Sequence, residues 1–104
     1  MVQVIWTQPA LEDLESIHEY LARDAARYAE EMVRKLLKTP GILTRFPQIG
    51  RVVPEYGDES LREILAGMYR VIYKESTDRV HVVAVVHGSR DLLLSHPDED
   101  FVIE

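Results

Sequence analysis

Residues 61–91, LREILAGMYRVIYKESTDRVHVVAVVHGSRD, constrain the fold more than any other part of the chain. Three runs rich in β-branched and aromatic residues follow one another, separated by Ala66-Gly67 and by Ser76-Thr77-Asp78-Arg79. Such short turns between strand-like runs predict a three-strand antiparallel meander. In the middle run Tyr69, Val71 and Tyr73 fall on one face and Arg70, Ile72 and Lys74 on the other. The last run is apolar on both faces at its centre, from Val82 to Val86, which marks an inner strand. A meander of this size buries one layer of helix, and the preceding sequence supplies it.

Val2-Gln3-Val4-Ile5-Trp6 reads as a short N-terminal strand. Thr7 or Gln8 then caps a helix with Pro9 in its first turn, where a missing N–H costs nothing. Leu11, Leu14, Ile17 and Leu21 recur every three or four residues as an apolar stripe. Glu12 and Asp13 are expected near the helix N-terminus, where the dipole favours acids. Arg23-Asp24 marks a turn, and Ala29, Met32, Val33, Leu36 and Leu37 form a second stripe. Pro40-Gly41 interrupts it, by a kink or by a new turn with Thr39 as cap. The two stripes predict an αα-hairpin. Residues 46–57 carry two prolines and two glycines and read as loop. The expected class is α+β: N-terminal strand, helical hairpin, then the meander, in one sheet with helices on one face. At 104 residues this is one domain, with residues 95–104 an acidic, loosely ordered tail.

Charge distribution limits the function classes more than the total of −6 does. Residues 1–44 carry −2, residues 45–90 carry +1, and residues 91–104 carry five acids and no base. Tight nonspecific nucleic-acid binding needs several phosphates neutralised, so it is not expected, although a small local basic patch is compatible. The chain has no cysteine, hence no disulfide framework and no thiolate metal site. Acid arrives too early for a signal peptide, and no apolar run reaches spanning length. A cytoplasmic protein that binds no membrane is expected.

The ordered set of motifs resembles the RelE/ParE toxin superfamily of type II toxin–antitoxin modules. Val4-Ile5-Trp6-Thr7 with Ala10 and Leu14 is similar to the family's opening. Leu43 to Pro47 with Gly50-Arg51 is similar to its L-x-x-x-P-x-x-G-R junction. Arg62-Glu63, Tyr69 to Tyr73, Val80 to His87 and Arg90 are similar to its sheet. The Pro40-Gly41 break and the acidic charge depart from the family pattern. The resemblance implies a toxin clasped by a flexible cognate antitoxin, as a homodimer or a toxin–antitoxin hetero-oligomer, without a cofactor. Two activities follow from it. A ParE-like plasmid-stabilisation toxin inhibits DNA gyrase by protein–protein contact. A RelE-like toxin is a ribosome-dependent mRNA endoribonuclease. A non-toxic interaction module on the same fold is a third reading.

Metal-free RNA cleavage needs a base, an acid and cations for the developing charge. Arg62, Arg70, His87 and Arg90 are the catalytic candidates under that reading, with Glu63 as a base and Tyr73 or His87 as an acid. Several weigh toward structure instead. Tyr69 and Tyr73 alternate with Val71 as core residues, Arg62 and Glu63 point to opposite faces, and Arg70 suits a carboxylate or the antitoxin. Arg90, after a Gly-Ser turn at the end of an inner strand, is the best functional residue. Under the partner-binding reading the contacts are Arg51, Arg62, Arg70, Lys74 and Arg90. His81 and His87 lie six apart, on one strand face and too far for adjacent ligation, so no metal is expected. Leu92 to Leu94 reads as a packing tail or an antitoxin contact. No lysine lies between Lys38 and Lys74, so the lysine cluster of the ribosome-dependent enzymes is missing and the ParE-like reading is preferred.

Overall fold

The computed structural model describes residues 1–96, 101 and 103. Strand β1 (Gln3–Trp6) leads into α1 (Gln8–Ala22) and α2 (Ala26–Lys38), followed by a 3-10 helix over Thr39–Thr44. Strands β2 (Arg51–Val52), β3 (Leu61–Ala66), β4 (Tyr69–Glu75) and β5 (Arg79–His87) complete the sheet, and a short α3 (Leu92–Ser95) follows. The sheet order is β1-β5-β4-β3-β2. The meander is antiparallel, as its turns require, while β1 runs parallel to β5, so the sheet is mixed. Strand β2 is an addition to the loop expected there: its two residues pair with Arg62 and Glu63 of β3.

Thr7 joins the helical layer to the sheet. Its extended backbone caps α1, its hydroxyl accepts from the Ala10 N–H at 3.3 Å, and it donates to the Val82 carbonyl at 2.8 Å. The helix begins at Gln8, so Glu12 and Asp13 lie beyond the first turn and do not serve the dipole there. At Pro40 the chain starts a new turn, as expected, but Lys38 holds the cap position; the Thr39 hydroxyl instead donates back to the Lys35 carbonyl. Gly67, at φ +59°, makes the β3–β4 turn.

The expected stripes hold apart from two leucines, with Ile17 and Leu21 packed at the edge of the core. Ala10 and Leu14 of α1 and Ala29, Met32 and Leu36 of α2 are buried, whereas Leu11 and Leu37 remain exposed. Small alanines let the backbones approach, and Leu14, Met32 and Leu36 meet Tyr69, Val71, Val82 and Val85 on the sheet. The other face is covered by the chain itself. Val53, Leu92 and Phe101 pack on Leu61, Ile72, Val83 and Val86. Leu92 is therefore a packing residue, while Leu94 is exposed.

Strand β5 is apolar on both faces because both are covered, and a bulge decides which residue faces which way. Ile72 pairs with Ala84 but Tyr73 pairs with Val82, leaving Val83 extra. Val80, Val82 and Val85 consequently face the helices and Leu43, while Val83, Ala84 and Val86 face the other way. The same shift corrects the expectation for the histidines. His87 meets Tyr69 on the helical side, ring to ring at 5.7 Å. His81, before the bulge, falls on the opposite face.

Candidate functional site

Three of the expected partner-binding arginines are tied into the fold. Glu63 is 1% exposed and Arg70 is 4% exposed. Arg70 Nε donates to Glu63 Oε1 at 2.7 Å, and its two terminal nitrogens grip the Glu55 carboxylate at 2.8 and 2.7 Å. Arg51 Nε donates to the second oxygen of Glu63 at 2.5 Å. Arg70 also donates to the Arg90 carbonyl, and Glu55 accepts from the Leu92 N–H. A planar, five-donor guanidinium suits this arrangement. The network fastens β4, the 53–58 loop and the segment before α3 to one another.

The Arg70 hydrogen bonds hold the Glu55 pKa down, from the ordinary 4.5 to about 2. A carboxyl whose pKa falls on folding stabilises the native state above its unfolded value, and that contribution disappears as pH drops through the folded value. Wild type is therefore expected to exceed a Glu55→Gln variant in urea stability at neutral pH, with the gap closing between about pH 4.5 and 2. A gap independent of pH would contradict the pairing.

Arg62 projects to the other face of β3. Its Nη1 donates to the Gly50 carbonyl at 3.0 Å, and the Gly50 N–H donates to the Tyr73 hydroxyl at 3.0 Å. Tyr73 is fully buried, and burial pushes its pKa up. The Gly-Arg motif thus has a packing explanation: Gly50 sits where no side chain fits, and Arg51 neutralises Glu63. Lys74 lies half-buried near the end of β4, opposite His81. Its ammonium makes no hydrogen bond or ion pair among the described residues.

His87 and Arg90 are the two expected residues that come together in an open recess. It lies between the second half of α1 and the end of β5, with a volume near 350 Å³, and is lined by Asp13, Ser16, Ile17, Tyr20, Tyr69, Val85, Val86, His87 and Arg90. The Ser89 N–H donates to His87 Nδ1 at 3.1 Å, so Nδ1 is the acceptor and the ring proton sits on Nε2. The Arg90 N–H closes onto the His87 carbonyl, which folds Arg90 back beside the imidazole. Its guanidinium makes no hydrogen bond or ion pair among the described residues.

Asp13 and Tyr20 belong to this groove and were not anticipated. β1 pairs with β5 only as far as Val82. Beyond that point α1 faces the strand edge, and Asp13 accepts the Val85 N–H at 2.9 Å. Burial pushes the Asp13 pKa up, against the pull of the Val85 N–H, His96 and Arg90. Tyr20 is 67% exposed, and this large aromatic off the stripe was the available sequence signal. Among the described residues no three His, Asp or Glu side chains gather as a metal site. No helix among them is long and apolar enough to cross a membrane.

The chain is similar to known toxins along most of its length. The family model described as ParE toxin of type II toxin-antitoxin system, parDE, matches residues 4–92. The protein named Toxin RelE2 of Caulobacter vibrioides is 31% identical over 91 residues, covering 86% of this chain and 99% of that toxin. A solved structure described as the chromosomal ParDE TA system from P. aeruginosa superposes with a TM-score of 0.72 at 14% identity, covering 84% of this chain and 96% of that one. At that identity the superposition speaks to the fold.

Proposed function

The chain belongs to the ParE toxin family of type II toxin–antitoxin systems, and on that premise we propose that it is a cytoplasmic inhibitor of DNA gyrase, acting by protein–protein contact and neutralised by a cognate antitoxin. The observation that carries this reading is the dispersal of the nuclease-type groups. A metal-free phosphodiester cut needs acid, base and cations around one phosphate. Here Arg70 and Glu63 are buried against each other, Arg62 braces Gly50 across the sheet, and Tyr73 is sealed in the core. Of these groups only His87 and Arg90 share an open groove, and the carboxylate beside them, Asp13, is engaged by the Val85 N–H and has its pKa pushed up by burial.

That groove suits a polypeptide. Ile17, Tyr20, Tyr69 and Val85 give an apolar floor and wall, and Arg90 gives an unpaired cation at the rim. An amphipathic antitoxin segment with an acidic residue set against Arg90 satisfies both features. The second reading, a RelE-like ribosome-dependent endoribonuclease, draws on the pairing of His87 with Arg90 and on the likeness to a toxin named RelE2.

Induction of the chain alone is expected to stop growth, and co-expression of the antitoxin encoded beside it to restore growth. Tyr20→Glu is expected to weaken antitoxin binding by roughly thirtyfold, the effect of losing one interfacial tyrosine anchor. Titration of the purified antitoxin measures it, with circular dichroism confirming the fold. Unchanged affinity would place the antitoxin elsewhere.

A further inference from the structure

We propose that the last two turns of α2 form a docking strip for the phosphate backbone of duplex DNA. The chain has no acidic residue from Met32 to Pro54, yet this stretch contains Arg34, Lys35, Lys38, Arg45 and Arg51. It carries +5 in a protein whose net charge is −6. Arg51 is consumed by Glu63. The other four cations are exposed and make no ion pair among the described residues. Their neighbours on the helix are not neutralising them, so their charge is available to a ligand.

The shape of the strip selects the ligand. Arg34, Lys35 and Lys38 border a shallow recess of about 480 Å³ with Thr39, and Glu31 closes its N-terminal end. Spacings of three and four place these cations on one side of α2. No aliphatic or aromatic side chain lines the recess. A protein partner would lack an anchor there, and a single strand would lack a stacking platform. A double-helical phosphate backbone needs neither, because cations alone position it. The surplus negative charge elsewhere orients the molecule with this strip toward the duplex and keeps binding weak.

The strip shares no lining residue with the α1–β5 groove. The inference therefore goes beyond the antitoxin site, and it fits a target that works on DNA. It is also independent of that target, since the duplex is offered without gyrase.

Fluorescence anisotropy of a short labelled duplex tests it on the purified full chain. With up to three phosphate contacts the salt slope is expected near −2.7, so affinity falls about fortyfold between 50 and 200 mM salt. The double variant Lys35→Glu with Lys38→Glu is expected to lose at least tenfold in affinity at about 50 mM salt, where weak phosphate binding is measurable. Glu31→Gln is expected to strengthen binding. Both variants should retain wild-type circular dichroism and antitoxin affinity. Absence of binding at low salt, or an unchanged constant in the double variant, would overturn the proposal. Tighter binding of single-stranded DNA, of duplex RNA or of polyglutamate at matched charge would overturn it as well.

Discussion

Truncating Arg70 to alanine is expected to destabilise the fold by about 3–5 kcal/mol, the usual cost of leaving a buried charge uncompensated. Native domains hold only about 5–15 kcal/mol in total, so the variant should unfold at a markedly lower urea concentration. The reason is Glu63. Its carboxylate is almost wholly buried and faces Arg70 on one oxygen and Arg51 on the other. Without Arg70 it retains one partner, whose side chain is 57% exposed and screened by water. Glu55 would also lose its two-pronged clasp, releasing the 53–58 loop from β4. Urea unfolding measures the loss. A combined Arg70→Met, Glu63→Leu, Glu55→Gln variant should recover most of it, because apolar replacement of a whole buried network is often neutral. The same variant separates structure from chemistry: retained toxicity would remove Arg70 and Glu63 from any catalytic role.

Gly50→Ala is the second large effect. A Cβ at this position would lie 2.6 Å from the Glu63 carbonyl oxygen and 2.6 Å from the Tyr73 hydroxyl oxygen. Glu63 is held in the β2–β3–β4 ladder, and Tyr73 fills the core beside Leu43 and Val80. Neither can yield cheaply. Overpacking costs about 1–3 kcal/mol, and losing the Gly50 N–H to Tyr73 bond adds roughly 1–3 kcal/mol. A total near 3 kcal/mol or more is expected. Tyr73→Phe removes one of the clashing atoms, so the double variant should cost less than the two single changes added together. Strict additivity in urea melts would show that the steric contact is not the cause.

Much of the fold was legible because its signals are local. Alternation in Tyr69 to Lys74 and the short turns around it specify an antiparallel meander, and the 3.6-residue stripes specify the hairpin. What escaped was set by distant partners. The parallel pairing of β1 follows from its docking beside β5, not from any residue in Val2 to Trp6. β2 is two residues long between prolines and glycines, too short to alternate. The bulge at Val83 reads in sequence as an unbroken apolar run, so His81 and His87 were placed on one face although the extra residue separates them.

The site followed the same division. A sequence shows charges without their partners, so Arg51, Arg62 and Arg70 looked available while Glu63, Gly50 and Glu55 had already engaged them. The 55-to-70 and 63-to-70 pairings bridge separations that no local pattern encodes. Arg90 was legible because a Gly-Ser turn ends an inner strand and leaves the next side chain at its rim. Asp13 was misread as serving the helix dipole. Its true partner, the Val85 N–H, exists only because β1 stops pairing at Val82.

Supercoiling of relaxed plasmid by purified DNA gyrase, with the purified chain added before ATP, tests the central claim most directly. The account predicts loss of supercoiling that is reversed when the cognate antitoxin is supplied in equimolar amount. Supercoiling that proceeds unchanged, with the same preparation cutting messenger RNA on ribosomes, would contradict it.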